Sequence, residues 1–239
     1  MTLKGVEKLI GVSSIYDNLV YDIDGNKYHY ITIGTQTWMV ENLMTTHYRD
    51  GTAINRGATG SYWPNLDYGN YAYPPNITND AEETLENIIS NKLGFVYQHS
   101  CIRSAHGLTP AGWHVPSDDE FKILEMYLGM SQEEADVDGF RGTHNEGNKL
   151  KEIGNSHWST SDGTDTVGFK AVGSGHRRAN NIMAGRNTST SFWTTTADKS
   201  TSPYLYFDRS LYSSGDDGSK IGRHRTAASQ GSSIRCIKD

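Results

Sequence analysis

Pro116-Ser117-Asp118-Asp119-Glu120-Phe121-Lys122-Ile123-Leu124-Glu125-Met126-Tyr127-Leu128-Gly129 stands near the middle of the chain and has the marks of an amphipathic helix. Ser117 and Glu120 have the spacing of a capping box, Pro116 precedes them, and Gly129 is a natural stop. Phe121, Leu124 and Leu128 share one face, so the helix must lie on apolar surface. The pattern predicts another helix over residues 79–93. Asn79 would cap it with Glu82 as capping-box partner, and Ala81, Leu85, Ile88, Ile89 and Leu93 would form its buried stripe. Ser131 with Glu134 starts a short third helix.

Away from the helices the chain reads as strand. Residues 19–39 predict a three-strand meander. Asp24-Gly25 is its first turn, Tyr28-His29-Tyr30-Ile31-Thr32-Ile33 its alternating middle strand, and Gly34-Thr35 its second turn. Residues 55–76 hold Gly, Pro, Asn and Tyr without a period and read as loop. Beyond Asp136 the strand candidates are Trp158, residues 169–172, Phe192-Trp193, residues 204–211 and residues 233–237. Strands, then helices, then strands, without repeat or hinge, predict an α+β domain over residues 19–239 behind an extension of residues 1–18. Small twisted antiparallel sheets, two main helices and long loops are expected, with the first and last strands side by side.

A chain of 239 residues can bury a core without staples. The charge, 22 − 28 = −6, argues against a nucleic-acid partner. No run approaches the roughly 20 apolar residues of a membrane span, so no membrane insertion is expected. Residues 1–12 contain Lys4 and Lys8 but no apolar core, so no signal peptide is visible. Cys101 and Cys236 are open to two readings: one bridge closing a long loop, or two separate small buried side chains.

Motifs of catalysis are missing: there is no Gly-x-Ser-x-Gly elbow, phosphate loop or His-Glu-x-x-His. Asp22-Ile23-Asp24-Gly25-Asn26 begins like an EF-hand, but Gly is fourth and the twelfth residue is Ile33, so it reads as a turn. Glu133, Glu134, Asp136 and Asp138 read as a solvated helix end, and His114 as a structural hydrogen bonder. No cofactor is expected, and a Ca²⁺ site assembled from distant loops is left open. Trp63, Tyr68, Tyr71 and Tyr73 read as aromatics that tie a long loop to the core.

A set of short motifs occurs in one order: Asp22-Ile23-Asp24-Gly25-Asn26-Lys27-Tyr28, Trp38-Met39-Val40-Glu41-Asn42-Leu43, Pro110-Ala111-Gly112-Trp113-His114-Val115-Pro116-Ser117-Asp118, Gly168-Phe169-Lys170-Ala171, Phe192-Trp193-Thr194-Thr195 and Ser233-Ile234-Arg235-Cys236-Ile237. Together they resemble the Fibrobacter succinogenes major paralogous domain, over about residues 22–239. The resemblance implies a C-type-lectin-like fold, related to that of formylglycine-generating enzymes, and an extracellular setting on a bacterial surface. Some proteins of this kind are the variable proteins of diversity-generating retroelements, including ones carried by phages of gut bacteria, and diversify the last stretch of the chain. Three features depart from the pattern: no secretion or lipoprotein signal is seen before the domain, residues 76–108 are longer and more helical than the family pattern, and Thr109 stands where some members have Cys.

That last stretch is where the sequence says most about function. In residues 204–231, Leu205, Phe207, Leu211 and Ile221 are the expected inward anchors. Tyr204, Tyr206, Asp208, Arg209, Tyr212, Ser214, Asp216, Asp217, Ser219, Arg223, His224 and Arg225 are the expected ligand contacts. Tyr gives large amphipathic area at low entropy cost, Ser and Gly adapt, and Arg anchors, as in antibody-like paratopes. His176-Arg177-Arg178-Ala179-Asn180-Asn181 is open to two readings, a flank of the same face or a solvated turn. The expected function is non-enzymatic recognition of a cell-surface protein or glycan, by a monomer or oligomer displayed outside the cell or on a virion. The alternatives are an enzyme related to the formylglycine-generating oxidases, which would need a reactive Cys236, and a structural surface protein.

Overall fold

The computed structural model describes residues 18–57, 63, 69–200, 205–213 and 215–239. Tyr204 and Ser214 of the expected contacts, Tyr68, and the extension up to residue 17 lie outside the described residues. In chain order the strands are β1 (Leu19–Tyr21), β2 (Lys27–Ile33), β3 (Gln36–Met39), β4 (Asn55–Arg56), β5 (Asn70–Ala72), β6 (Val96–Gln98), β7 (Trp113–His114) and β8 (Gly139–Arg141). They continue as β9 (Ser174–Arg177), β10 (Met183–Arg186), β11 (Ser189–Ala197), β12 (Leu205–Tyr212), β13 (Ile221–Ala227), β14 (Gly231–Ser232) and β15 (Ile237–Lys238). The helices are α1 (Leu85–Ser90), α2 (Ser100–Arg103), α3 (Asp118–Leu128), α4 (Gln132–Asp136) and α5 (Glu146–Leu150). The architecture is mixed α+β, mostly sheet.

The meander forms as expected. Its turns place Gly25 and Gly34 at φ +80° and +60°, a region costly for other residues. The last strand returns to it, but β15 pairs with β3 and β7 rather than with β1, giving the order β1-β2-β3-β15-β7. The other sheet is larger than expected, with ten strands: β4-β5-β6-β14-β9-β11-β12-β13-β8 and β10 on β9. Residues read as loop contribute β4 and β5, strands too short to show a period. Trp158 and Phe169 are buried outside any strand. Trp158 Nε1 donates to the Ala171 carbonyl at 2.9 Å, and only Ala171 of that stretch bridges, to Lys151.

α3 carries the full capping box and buries Phe121, Leu124 and Leu128, as its sequence predicts. The first helix is much shorter than expected. Pro75 bridges Glu82, Asn79 sits in the turn between them at φ 62°, and the cap passes to Thr84, whose hydroxyl accepts from the Asn87 N–H. Only Ile88 of α1 is buried, Leu93 packs after its end, and Leu85 and Ile89 face solvent. Two apolar clusters make up most of the core. One joins Phe121, Leu124 and Leu128 to Trp38, Phe169, Phe192, Leu211 and Ile221. The other gathers Tyr28, Leu43, Tyr97, Trp113, Trp193, Tyr206 and Ile234. Cys101 and Cys236 are buried and unbridged.

Candidate functional site

β12 runs through the middle of the ten-stranded sheet, between β11 and β13. Alternate side chains leave opposite faces of a strand. Of the four expected anchors, Leu211 and Ile221 enter the apolar cluster under α3 beside Phe192, whereas Phe207 lies under the Arg223 and Arg225 guanidiniums and Leu205 is half-buried. Arg209 leaves the same face as Leu211. Its Nε donates to Glu125 Oε1 at 2.6 Å, and its guanidinium lies 2.8 Å from Asp118 Oδ1.

Arg223 of β13 joins this network, donating from Nε and the terminal nitrogen to the two Asp118 oxygens at 2.9 and 2.8 Å. Arg141 of β8 takes the other Glu125 oxygen. Outward, Asp138 pairs with Arg223 and Arg225, and Arg225 Nε reaches Asp198 at 3.0 Å. Burial opposes the charge on Asp118, but the two guanidiniums outweigh it and hold its carboxyl well below the usual range. Arg209 and Arg223 were expected to touch ligand; instead they clamp the sheet to α3 and are buried. Arg225 is exposed but lies on this same edge.

The opposite face of β12 carries Tyr206, Asp208, Ser210 and Tyr212. Its closed end is aromatic. Tyr206 stacks on His99 with centroids 3.4 Å apart, and His99 meets Trp193 edge-on at 5.1 Å. His99 Nε2 donates to the Thr194 carbonyl at 2.9 Å. Burial pushes His99 down to about 3, so its ring is neutral. Its open end is a rim of half-buried rings: Phe140 meets Tyr212 at 5.3 Å and His224 at 5.0 Å, both edge-on.

Between the two ends the floor is polar and incompletely partnered. Asp208 is 3% exposed; Oδ2 accepts from Thr226 Oγ1 at 3.1 Å, and Oδ1 has no hydrogen-bond partner. Burial pushes Asp208 up to about 7, against the opposing pull of the Thr226 hydroxyl, Arg209 and the His224 backbone. Ser210 Oγ and His99 Nδ1 are buried without partners too. Such atoms are uncommon in folded proteins.

Gly222 lies opposite Ser210 and His224 opposite Asp208. A Cβ on residue 222 would come within 2.2 Å of Ser210 Oγ and 2.4 Å of His224 Nε2, so those two groups converge over the glycine. Burial, with the fields of Arg141 and Arg209, lowers the His224 pKa. The charge of Arg178, beyond β9, acts on Tyr212 and His176 from a distance.

The expected contacts therefore divide. Tyr212 and His224 stand together at the rim, while Tyr206 and Asp208 lie on the right face but are buried, because β12 is covered on both sides. Asp216 is exposed, and Asp217 and Ser219 half-buried, in the turn between β12 and β13; Asp217 pairs with Lys220 at 3.2 Å. Sequence reasoning missed Phe140, His99, Trp193 and Ser210 as parts of the site. Ser210 could have been found from its period-two place after Asp208; the others arrive from distant strands and loops.

Among the described residues, no three His, Cys, Asp or Glu side chains converge to hold a metal ion. Asp22 serves the turn at Gly25, accepting from the Asp24 and Asn26 amides at 3.0 and 2.9 Å. Asp136 and Asp138 are engaged by Lys122 and by the arginines of the network. His114 bridges Glu120 and Asp239 at 2.8 and 2.7 Å. No helix of the described residues is long and apolar enough to cross a membrane.

Comparison with the curated proteins and with the solved structures finds no match. The sequence pattern of the Fibrobacter succinogenes major domain matches residues 31–238, from the second strand of the meander into β15. A match over nearly the whole described fold, with the ordered motifs at its turns and buried strands, settles the family: the chain belongs to the Fibrobacter succinogenes major domain family.

Proposed function

We propose that the protein is a non-enzymatic recognition module with a C-type-lectin-like scaffold, and that it engages a ligand at the open end of the β11–β12–β13 face. The observation carrying this reading is the contrast between the two faces of β12. One is locked to α3 by paired charges. The other holds buried polar atoms without partners beside a rim of half-buried rings. Site residues set on rigid strands suit equilibrium recognition, because little ordering is needed when ligand arrives. The ligand is a protein or glycan of a bacterial cell surface, met from outside the cell or from a virion. In a retroelement-diversified relative, this face is where variation would be displayed, since its side chains are not needed by the α3 clamp.

Binding of the labelled chain to whole gut-bacterial cells tests the reading. A Tyr212→Ala, His224→Ala double variant with an unchanged thermal melt should lose retention on cells. Retention equal to the parent would place the contact surface elsewhere.

A further inference from the structure

His114 of β7 is held through both nitrogens of its ring, and both partners are carboxylates. Nε2 lies 2.8 Å from Glu120 Oε1 in the first turn of α3. Nδ1 lies 2.7 Å from Oδ1 of Asp239, the residue after β15. A neutral imidazole has one N–H and one lone pair, whereas an ionised carboxylate can only accept. Only the imidazolium satisfies both contacts. With one proton fewer, a ring lone pair faces a carboxylate oxygen.

The two partners are not held equally. Glu120 belongs to the capping box of α3, and its Oε2 accepts from the Ser117 amide at 2.7 Å and the Ser117 hydroxyl at 2.8 Å. Burial opposes the charge on Glu120, but the hydrogen bonds from Ser117 and His114 outweigh it and lower its pKa. Among the described residues, the exposed Asp239 carboxylate is bonded to His114 alone, and the Asp239 N–H reaches the Gly112 carbonyl at 3.0 Å. Neighbouring charges are directed elsewhere. Lys238 lies over the Tyr30 ring at 5.4 Å, Asp118 is taken by Arg209 and Arg223, and Asp119 pairs with Lys122. Burial works against the His114 cation, but Glu120 and Asp239 outweigh it and raise its pKa above the ordinary 6.5.

We infer that His114 is a proton-operated latch: as imidazolium it ties β7 to both α3 and the residue after β15, and on losing a proton it keeps Glu120 and releases Asp239. Glu120 stays because the capping box fixes it and a neutral ring can still donate from Nε2. β7 is the outer strand of its sheet and joins it through β15 alone, over two residue pairs, so the released contact is a large share of what holds that corner. From the carboxylate range up to 6.5 the latch is closed, and its contribution is lost as pH rises through the raised His114 pKa.

The test is long-range proton–nitrogen NMR of the full chain, labelled in its histidine rings and titrated with base. At pH 6.5 most His114 rings should carry a proton on each nitrogen, and the midpoint should lie above 6.5. Beyond the midpoint Nδ1 should be the bare nitrogen, and the Asp239 and Gly112 amide signals should move with the same midpoint. Asp239→Asn, at an exposed side chain, should lower that midpoint. A midpoint at or below 6.5, loss of the Nε2 proton first, amides that stay still while the ring titrates, or a midpoint unmoved by Asp239→Asn would each overturn the latch.

Discussion

Asp208 and Arg209 are consecutive on β12, and their side chains leave opposite faces of the sheet with opposite fates. Arg209 is saturated by Glu125 and Asp118, at 2.6 and 2.8 Å. Asp208 has one hydroxyl, that of Thr226, and an oxygen with nothing on it. One strand thus does structural work through its odd-numbered residues and presents unmet hydrogen-bonding capacity through its even-numbered ones.

Removing the centre of the clamp should be costly. Glu125→Ala strands the guanidiniums of Arg209 and Arg141, both buried. The expected loss is about 3–5 kcal/mol in urea unfolding. Asp138→Ala, at the half-exposed end, leaves Arg223 its Asp118 partner and should cost less than about 1 kcal/mol. Equal losses in the two variants would mean that the buried end is not what holds β12 and β13 to α3.

Asp208 should give folding stability a downward slope with pH. Its folded pKa is about 7, above the ordinary 3.8, so the folded chain holds this proton after the unfolded chain has released it. Stability from this group is complete below 3.8, declines as pH rises, and is lost by about 7. Asp208→Asn should flatten that part of the profile and melt higher than the parent above pH 7. A slope unchanged by the substitution would show that Asp208 titrates normally.

Gly222→Ala probes the packing of Ser210 and His224 over β13. The backbone there needs no positive φ, and the nearest atoms an added methyl would meet are Ser210 Oγ and the His224 ring. The variant should fold, with a melt close to the parent, and lose cell binding because His224 is pushed off the floor. Full binding would show that the space over residue 222 is not used.

Both thiols should be silent in the folded protein. Burial pushes Cys101 up to about 12 and Cys236 higher still, and neither is bridged. Thiol-reactive dye should label them only as the chain unfolds. Fast labelling of Cys236 in the native state would favour the oxidase-like alternative.

Local signals were legible in the sequence and distant ones were not. The α3 capping box and the meander turns depend on residues a few places apart, and both formed. Asn79 misled because an equally local rival, the turn closed by the Pro75–Glu82 bridge, took it. The faces of β12 were hard to assign because almost the whole strand is buried and shows no polar alternation. Arg209 looked like a surface hot spot because its partner Glu125 is 84 positions away. His99 and Phe140 carried no signal, since each reaches the site only through sheet pairings and loop packing.

The claim that the Tyr212–Phe140–His224 rim is the contact surface is tested most directly by hydroxyl-radical footprinting of the chain free and bound to cells. Protection should fall on Phe140, Tyr212 and His224, while Tyr21 and Tyr127, both exposed elsewhere, stay fully reactive. Protection of Tyr21 or Tyr127 with the rim left reactive would contradict the account.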